Sequence, residues 1–204
     1  MKSNSKAEPT LICIPDISGF TKFMSETDFE LSSKVIPSLL NQIIYSNEIG
    51  LKVSEIEGDA VLFFRTGPLP NFKELVDQCR QFYIEFYRRL EVLRKKYSEN
   101  EQALLIPSML GLKIILHYGV EVAPIKVGTR IKLIGEDLII AHKLLKNEVP
   151  LDEYLLLSEA LTDEYKKTTI DNNIDWSELI EHETQYRHIG DVNYSYIGLK
   201  GLLE

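Results

Sequence analysis

Two aspartates stand at positions where the chain could hold a metal ion. Asp16 follows the apolar run 10–14 after Pro15, and Asp59 follows Gly58 in a turn between two further apolar runs. Hard cations such as Mg²⁺ prefer oxygen ligands and commonly use one or two carboxylates together with substrate phosphates. Carboxylates delivered from neighbouring strand ends could hold two ions about 4 Å apart, which suits phosphoryl chemistry. Aspartate at a strand end is also a common turn residue that accepts backbone amides, so the pair alone leaves both interpretations open.

Hydrophobic patterning defines the elements that must position these residues. The run 10–14 predicts a buried strand, followed by a loop over residues 15–21. The runs 51–56 and 60–64 predict a hairpin whose turn carries Asp59.

The remaining elements indicate the fold class. Apolar residues spaced by three and four predict a long amphipathic helix over Phe72–Lys96. Further helices are predicted at 32–47, 135–146 and 158–167, the last capped by Ser158. Further strands are predicted at 112–118, 120–127, 131–134 and 154–157, with two more within 179–199. This mixture predicts an α+β domain with a mainly antiparallel sheet flanked by helices.

Three segments resemble the motifs of class III adenylyl and guanylyl cyclases. Residues 15–21 (Pro-Asp-Ile-Ser-Gly-Phe-Thr) resemble the opening metal-binding and phosphate-binding loop, and residues 58–60 resemble the second metal motif. Residues 112–119, followed by 135–141, resemble the strand, loop and helix that come next in the family. The motifs occur in the family's order across roughly residues 10–199. The resemblance implies a ferredoxin-like cyclase fold that works as a head-to-tail homodimer, or as a heterodimer with another cyclase-fold chain.

The resemblance assigns metal and phosphate roles to the first two motifs. Asp16 and Asp59 match the aspartates that bind two Mg²⁺ or Mn²⁺ ions, and Ile17 matches a residue whose carbonyl also touches metal. The loop whose backbone amides face the triphosphate of a purine nucleotide is matched by Gly19, Phe20 and Thr21.

Base selection is implied at two positions. Glu55 falls four residues before Asp59, at the family's main base-selecting position. In the family, glutamate there goes with guanine and lysine with adenine. A carboxylate can accept hydrogen bonds from the N1 and N2 donors of guanine. An equally open interpretation is a surface strand residue that shares a face with Glu57. Lys132 stands at the second base-selecting position, where a cation does not complement a guanine-binding glutamate.

The helix that follows Gly135 departs from the family's pattern. Its ribose-orienting asparagine is replaced by Ile139, and the arginine that stabilises transition-state charge is replaced by Lys143. Isoleucine cannot hydrogen-bond, and lysine keeps the charge but loses the planar fork. Loss of an arginine-type contribution could cost about 10³-fold in rate. Lys143 and Arg130 remain as the candidate catalytic cations.

Composition sets the broad class. The chain has 204 residues, 44% of them hydrophobic, and a net charge of −8, which disfavours nonspecific binding to nucleic acid or anionic lipid. Residues 1–9 are polar and lack an apolar signal segment, and no run of about 18 apolar residues occurs. We therefore expect a flexible N-terminus over 1–9, a cyclase-homology domain over 10–204, no membrane or nucleic-acid partner, and a cytoplasmic location.

The sequence supports three hypotheses. The first is a divergent cyclase-fold module that binds metal and nucleotide, or only a protein partner, with weak or no turnover alone. The second is an active cyclase that converts GTP or ATP to a cyclic nucleotide and pyrophosphate, possibly as the metal-supplying half of a heterodimer. The third is an unrelated ferredoxin-like domain, in which the carboxylates of Asp16 and Asp59 would lie far apart.

Overall fold

A computed structural model describes residues 7–128 and 130–203, with the side chains of residues 130 and 131 outside the description. The described chain contains an eight-stranded sheet made of β1 (Glu8–Ser18), β2 (Lys52–Glu57), β3 (Ala60–Thr66), β4 (Gly111–Val127), β5 (Arg130–Ile134), β6 (Tyr154–Ser158), β7 (Ile180–Tyr186) and β8 (Gly190–Gly198). The order is β2-β3-β1-β4-β6-β8-β7, and β5 pairs with the end of β4. The β4–β6 pair is parallel and the other recorded pairs are antiparallel.

Helices flank this sheet and complete the predicted α+β architecture. They are α1 (Phe20–Glu26), α2 (Phe29–Tyr45), α3 (Phe72–Lys96), α4 (Ile106–Met109), α5 (Glu136–Leu144), α6 (Glu159–Thr162) and α7 (Lys167–Asp171), with 3₁₀ turns at Glu101–Leu105 and Lys200–Leu203. The predicted bounds of α3 are confirmed at both ends. Its N-cap, Asn71, accepts a hydrogen bond from the Glu74 amide, which satisfies one of the donors left free at a helix start.

The sheet separates two hydrophobic layers. On one face, β1 residues such as Leu11 and Cys13 pack with apolar residues of α2 and α3. On the other face, Ile12 and Ile14 pack with α5. Because side chains alternate along a strand, Asp16 follows Ile12 and Ile14 onto the α5 face.

The first predicted loop is wrong in its first half. β1 continues to Ser18, so Asp16 lies within the strand rather than after it. Proline usually breaks a central strand because it has no amide to donate. Here the recorded pairing of β1 with β3 stops at Cys13 and resumes at Asp16, so Pro15 falls where this ladder is interrupted.

Three further predictions of element bounds need correction. β4 is one strand where two were predicted, because Gly119 pairs with Thr10 and stays in the sheet. The predicted helix 158–167 ends at Thr162 as α6, and α7 begins only at Lys167. Ser158 does cap α6, since its side chain accepts a hydrogen bond from the Leu161 amide. The short helices α1 and α4 were not predicted.

The ends of the chain add two facts. Residues 1–6 of the predicted flexible N-terminus lie outside the described residues, and β1 begins at Glu8, inside the predicted segment. Within the described ranges, no helix combines the length and apolar character needed to cross a membrane.

Candidate metal and nucleotide site

The two predicted metal-binding aspartates lie side by side. Asp16 pairs with Ala60 in the β1–β3 ladder, and the Ile17 amide donates to the carbonyl oxygen of Asp59 at 3.0 Å. Asp16 is buried and Asp59 is half-buried in the turn between β2 and β3. The two carboxyl groups lie close enough for the charge of Asp16 to raise the pKa of Asp59. This proximity contradicts the hypothesis of an unrelated domain with distant carboxylates.

The surroundings of the pair raise the pKa of one aspartate and leave one oxygen of the other without a hydrogen-bond partner. Burial, then the charge of Asp16, raises the pKa of Asp59 from 3.8 to about 6. Oδ1 of Asp16 is buried and has no hydrogen-bond partner among the described residues. Buried polar atoms are almost always paired, so an orphaned carboxylate oxygen beside a second carboxylate is the donor set that a divalent cation requires.

Lys113 is a third member of the site that the sequence did not identify. It lies opposite Asp16 in the β1–β4 ladder, and its Nζ is 3.1 Å from Oδ2 of Asp16. The same ammonium donates to the carbonyl of Leu145 at 3.4 Å. Lys113 thus neutralises one side of the pair and leaves Oδ1 open. The sequence places Lys113 in the predicted strand 112–118. Its contact with Asp16 follows only from the register in which β4 pairs with β1.

The predicted phosphate loop is a sharp turn between β1 and α1. Gly19 has φ 78° and lies against the Met109 carbonyl, where an added Cβ would be 1.9 Å from the oxygen, so only glycine fits. Phe20 is half-buried and packs on the core, whereas Thr21 is exposed. The structure therefore fixes this turn beside Asp16; its contact with phosphate stays a prediction.

The predicted base-selecting residues contact each other. Nζ of Lys132 lies 2.6 Å from Oε2 of Glu55, so this carboxylate already has a cationic partner. Glu57 also belongs to this group, since its Oε2 is 3.5 Å from Nε2 of His142 on α5. Ligand atoms of Glu55, Glu57 and His142 all lie within 4.8 Å of one another. The predicted face shared by Glu55 and Glu57 is present, and base selection stays a prediction.

The predicted catalytic residues lie on α5 and β5. Ile139 is 54% exposed on α5, and Lys143 is half-buried one turn later. Arg130 begins β5 opposite Val127, but its side chain lies outside the described residues.

Asp137 attaches α5 to the sheet, although the sequence suggested no chemistry for it. Its Oδ2 accepts from the Glu121 amide at 2.7 Å, and its Oδ1 is 3.4 Å from Nε2 of His117. On the other side of the ring, His117 Nδ1 is 2.9 Å from Oγ of Ser158. The close approach of the His117 ring, first, and the hydrogen bond from the Glu121 amide lower the pKa of Asp137. Ser158 is buried, so the arrangement is a structural link and not an accessible nucleophile.

Solved nucleotide cyclase domains share this fold. The adenylyl cyclase CyaB from P. aeruginosa matches with a TM-score of 0.64 at 18% identity, covering 94% of this chain and 95% of that one. The guanylate cyclase domain of RhGC from Catenaria anguillulae, solved in complex with GTP, gives 0.62 at 15% identity, covering 93% and 96%. The non-canonical dimeric guanylyl cyclase domain of the RhoGC fusion protein from Blastocladiella emersonii gives 0.59 at 16%, covering 94% and 95%. The chain therefore has the fold of adenylyl and guanylyl cyclase catalytic domains.

Within that fold class, the chain belongs to the family described as "Protein of unknown function (DUF2652)", which it matches over residues 36–154. It is also similar to "Uncharacterized protein Rv2561/Rv2562" of Mycobacterium tuberculosis, with 35% identity over 113 residues, or 55% of this chain. The matched segment spans about half of that relative, 52% of its length. The family match includes Asp59 and Lys113, whereas Asp16 precedes it.

Proposed function

We propose that this chain is a cytoplasmic, divergent cyclase-fold module that binds Mg²⁺ or Mn²⁺ and a purine nucleoside triphosphate, with weak or no turnover by itself. The observation that carries the proposal is the adjacent pair of Asp16 and Asp59, with a buried Asp16 oxygen that no described group satisfies. When bound there, a divalent ion supplies charge neutralisation and Lewis acidity toward a phosphate. The residues fit one ion directly, because Lys113 occupies the Oδ2 side of Asp16.

The chain's own groups support a triphosphate at this face. The ammonium of Lys113 lies beside the carboxylates, where it can contact phosphate oxygens once a cation takes over Asp16. The Gly19 turn follows Asp16 by three residues and brings exposed backbone to the same end of β1.

Two features support weak turnover. Ile139, at the position where the resemblance implies a ribose-orienting asparagine, presents an exposed apolar side chain that can neither donate nor accept a hydrogen bond. Lys132 holds Glu55 at 2.6 Å, so a guanine base would have to displace this ammonium. Positioning and charge stabilisation supply most of the catalysis in phosphoryl transfer, and both are weakened here.

A cation and nucleotide titration tests the proposal. Mn²⁺ and then GTP or ATP are titrated into the wild type, Asp16→Asn and the exposed-surface control Asp171→Asn, followed by calorimetry. We expect the wild type and the control to bind Mn²⁺, and Asp16→Asn to bind at least about tenfold more weakly. Equal Mn²⁺ affinity in all three proteins would overturn the proposal.

A second candidate function is supported by apolar residues around the site. Ile56, Val120, Ile134 and Ile139, on β2, β4, β5 and α5, are each between 48% and 60% exposed. Where exposed apolar side chains share one face, they commonly mark a protein interface. We propose as the alternative that a second cyclase-fold chain covers this face and supplies the missing asparagine and arginine, with this chain as the metal-supplying half.

A mixing assay separates the two candidates. Cyclic nucleotide and pyrophosphate are measured for this chain alone and after mixing with a cyclase-fold chain whose own metal aspartates are replaced. Turnover that requires both chains would support the heterodimer. Turnover by this chain alone, abolished by Asp16→Asn, would instead show an active homodimer.

A further inference from the structure

A second cavity lies beside the Gly19 turn and does not include the aspartate pair. It has a volume of about 480 Å³, and its lining includes Tyr87, Glu153 and Lys200, with Ser18 and Lys22 at the turn. Pockets of roughly 300–1,000 Å³ are typical of small-molecule sites. The cavity therefore has the size of a binding site in its own right.

The wall of this cavity holds a buried carboxylate in a fixed position. The Glu153 side chain is only 5% exposed. Its Oε1 accepts hydrogen bonds from the Tyr87 hydroxyl at 2.6 Å and from the Leu112 amide at 3.3 Å. Gly111 makes room for it, since a Cβ there would lie 2.7 Å from Oε1. The start of β4 is thus shaped around this carboxylate.

The other oxygen of Glu153, Oε2, is not fully buried and is the carboxylate oxygen that the cavity can reach. No hydrogen bond to Oε2 is recorded from the described residues, and the nearest recorded cation is Nζ of Lys200 at 4.0 Å. The Lys200 side chain is 75% exposed, so its ammonium is largely hydrated. A buried charge is expensive unless it is paired and hydrogen-bonded.

The neighbouring tyrosines supply no positive charge to offset the carboxylate of Glu153. The hydroxyl of Tyr83 is buried without a hydrogen-bond partner among the described residues. Burial, together with Glu153, raises the pKa of Tyr83 and of Tyr87, so both remain neutral hydroxyls. The buried polar group therefore contains one carboxylate charge and no buried cation within the described chain.

We propose that this cavity binds a small ligand with a protonated amine, which replaces Lys200 at Oε2 of Glu153. An ammonium offers three donors to a carboxylate and compensates its charge at hydrogen-bonding distance. Lys200 is then a tethered competitor that the ligand displaces. The proposal does not depend on the metal or nucleotide function.

Amide chemical shifts of the full chain test this site. The probe is butylammonium, and butanol is the matched neutral probe. We expect millimolar butylamine, but not butanol, to shift the amides of Ser18, Gly111 and Leu112. Glu153→Gln should weaken the binding at least about tenfold, because it keeps the shape and removes the charge. Lys200→Ala should strengthen it severalfold.

Lys200 is exposed, so Lys200→Ala should fold even if Glu153→Gln does not. This variant then shows by itself whether the cavity binds a cation more tightly once the competing ammonium is removed. Weaker butylamine binding by Lys200→Ala would overturn the proposal. Equal binding of butanol would also overturn it, as would acetate binding that requires Lys200, because both outcomes exclude recognition by the carboxylate. Since no nucleotide or divalent ion is present, failure here is separate from failure of the proposed function.

Discussion

At the residue scale, Asp16 and Asp59 place like charges at close range, and the consequence is a pH dependence. Burial, then Asp16, raises the pKa of Asp59 from 3.8 to about 6. A folded-state pKa above the unfolded value means that folding favours the protonated form. The contribution of protonated Asp59 to the free energy of unfolding is therefore fully present below about pH 4 and is lost as the pH rises through about 6.

Asp59→Asn should consequently stabilise the metal-free protein at pH 8. We expect an increase of about 1 kcal/mol, reduced from the full electrostatic value because Asp59 is half-exposed. The difference should shrink at pH 4, where Asp59 is protonated in the folded protein. Thermal unfolding followed by circular dichroism at both pH values measures this. Mn²⁺ should raise the melting temperature of the wild type and not that of the variant; a less stable variant at pH 8 would contradict the charge conflict.

Restoring the missing residues on α5 should increase turnover. Ile139→Asn with Lys143→Arg returns an amide and a planar guanidinium to the positions where the resemblance places them. We expect cyclic nucleotide formation from GTP or ATP with Mn²⁺ to rise by up to about 10³-fold over the wild type. The same double variant carrying Asp16→Asn is the control and should lose the gain. An unchanged rate in the double variant would argue against the aligned roles of these positions.

The sequence predicted the aspartate pair because its motifs are contiguous. The contacts that complete the site join residues distant in the chain, and no local pattern encodes them. Lys113 meets Asp16 only through the register of β1 on β4. The Lys132–Glu55 pair likewise depends on how β5 folds back onto β2. Local motifs thus predicted the two aspartates, whereas their cationic partners, and the partner of Glu55, follow only from tertiary pairing.

At the element scale, α5 is held to the sheet by Asp137, and Gly119 provides the space. A Cβ on Gly119 would lie 2.2 Å from the Asp137 side chain. Gly119→Ala should therefore displace the start of α5 and destabilise the protein by about 1–3 kcal/mol, the usual range for overpacking. Chemical denaturation measures the loss.

Gly198→Ala is the matched control for this prediction. Gly198 ends β8, and its added Cβ would meet Leu151 at 3.5 Å, an ordinary van der Waals distance. We expect a change within about 0.5 kcal/mol there. Equal effects of the two substitutions would show that Asp137 does not need the space at Gly119.

Element length decided which helices the sequence could predict. α3 has 25 residues and a continuous apolar stripe, so its period is unmistakable and its bounds are confirmed. α1 and α4 have seven and four residues, too few turns for a period to emerge. The sequence predicted two strands in place of β4, because glycine weakens a strand interior. In the structure Gly119 pairs with Thr10 and the strand continues through it.

At the scale of the whole molecule, the exposed apolar side chains around the site predict self-association or pairing with a similar chain. We expect sedimentation to show a dimer that dissociates on dilution. Val120→Lys, on a residue 60% exposed in β4, should weaken it at least about tenfold by placing a charge in the interface. Val92→Lys, on a residue 49% exposed in α3, is the control and should sediment as the wild type does. Identical behaviour of both variants would contradict the placement of the interface.

The position of β1 has a consequence for how the chain is made. Among the described strands it is the first to be synthesised, yet it lies in the middle of the sheet, between β3 and β4. Its pairing with β4 joins Ser18 to Gly111, and such non-local pairing is slow to form. Until β4 emerges, β1 presents an open, apolar edge, the kind of edge that pairs with other chains. The part of the chain that precedes β4 therefore benefits from chaperone protection until β4 has been synthesised.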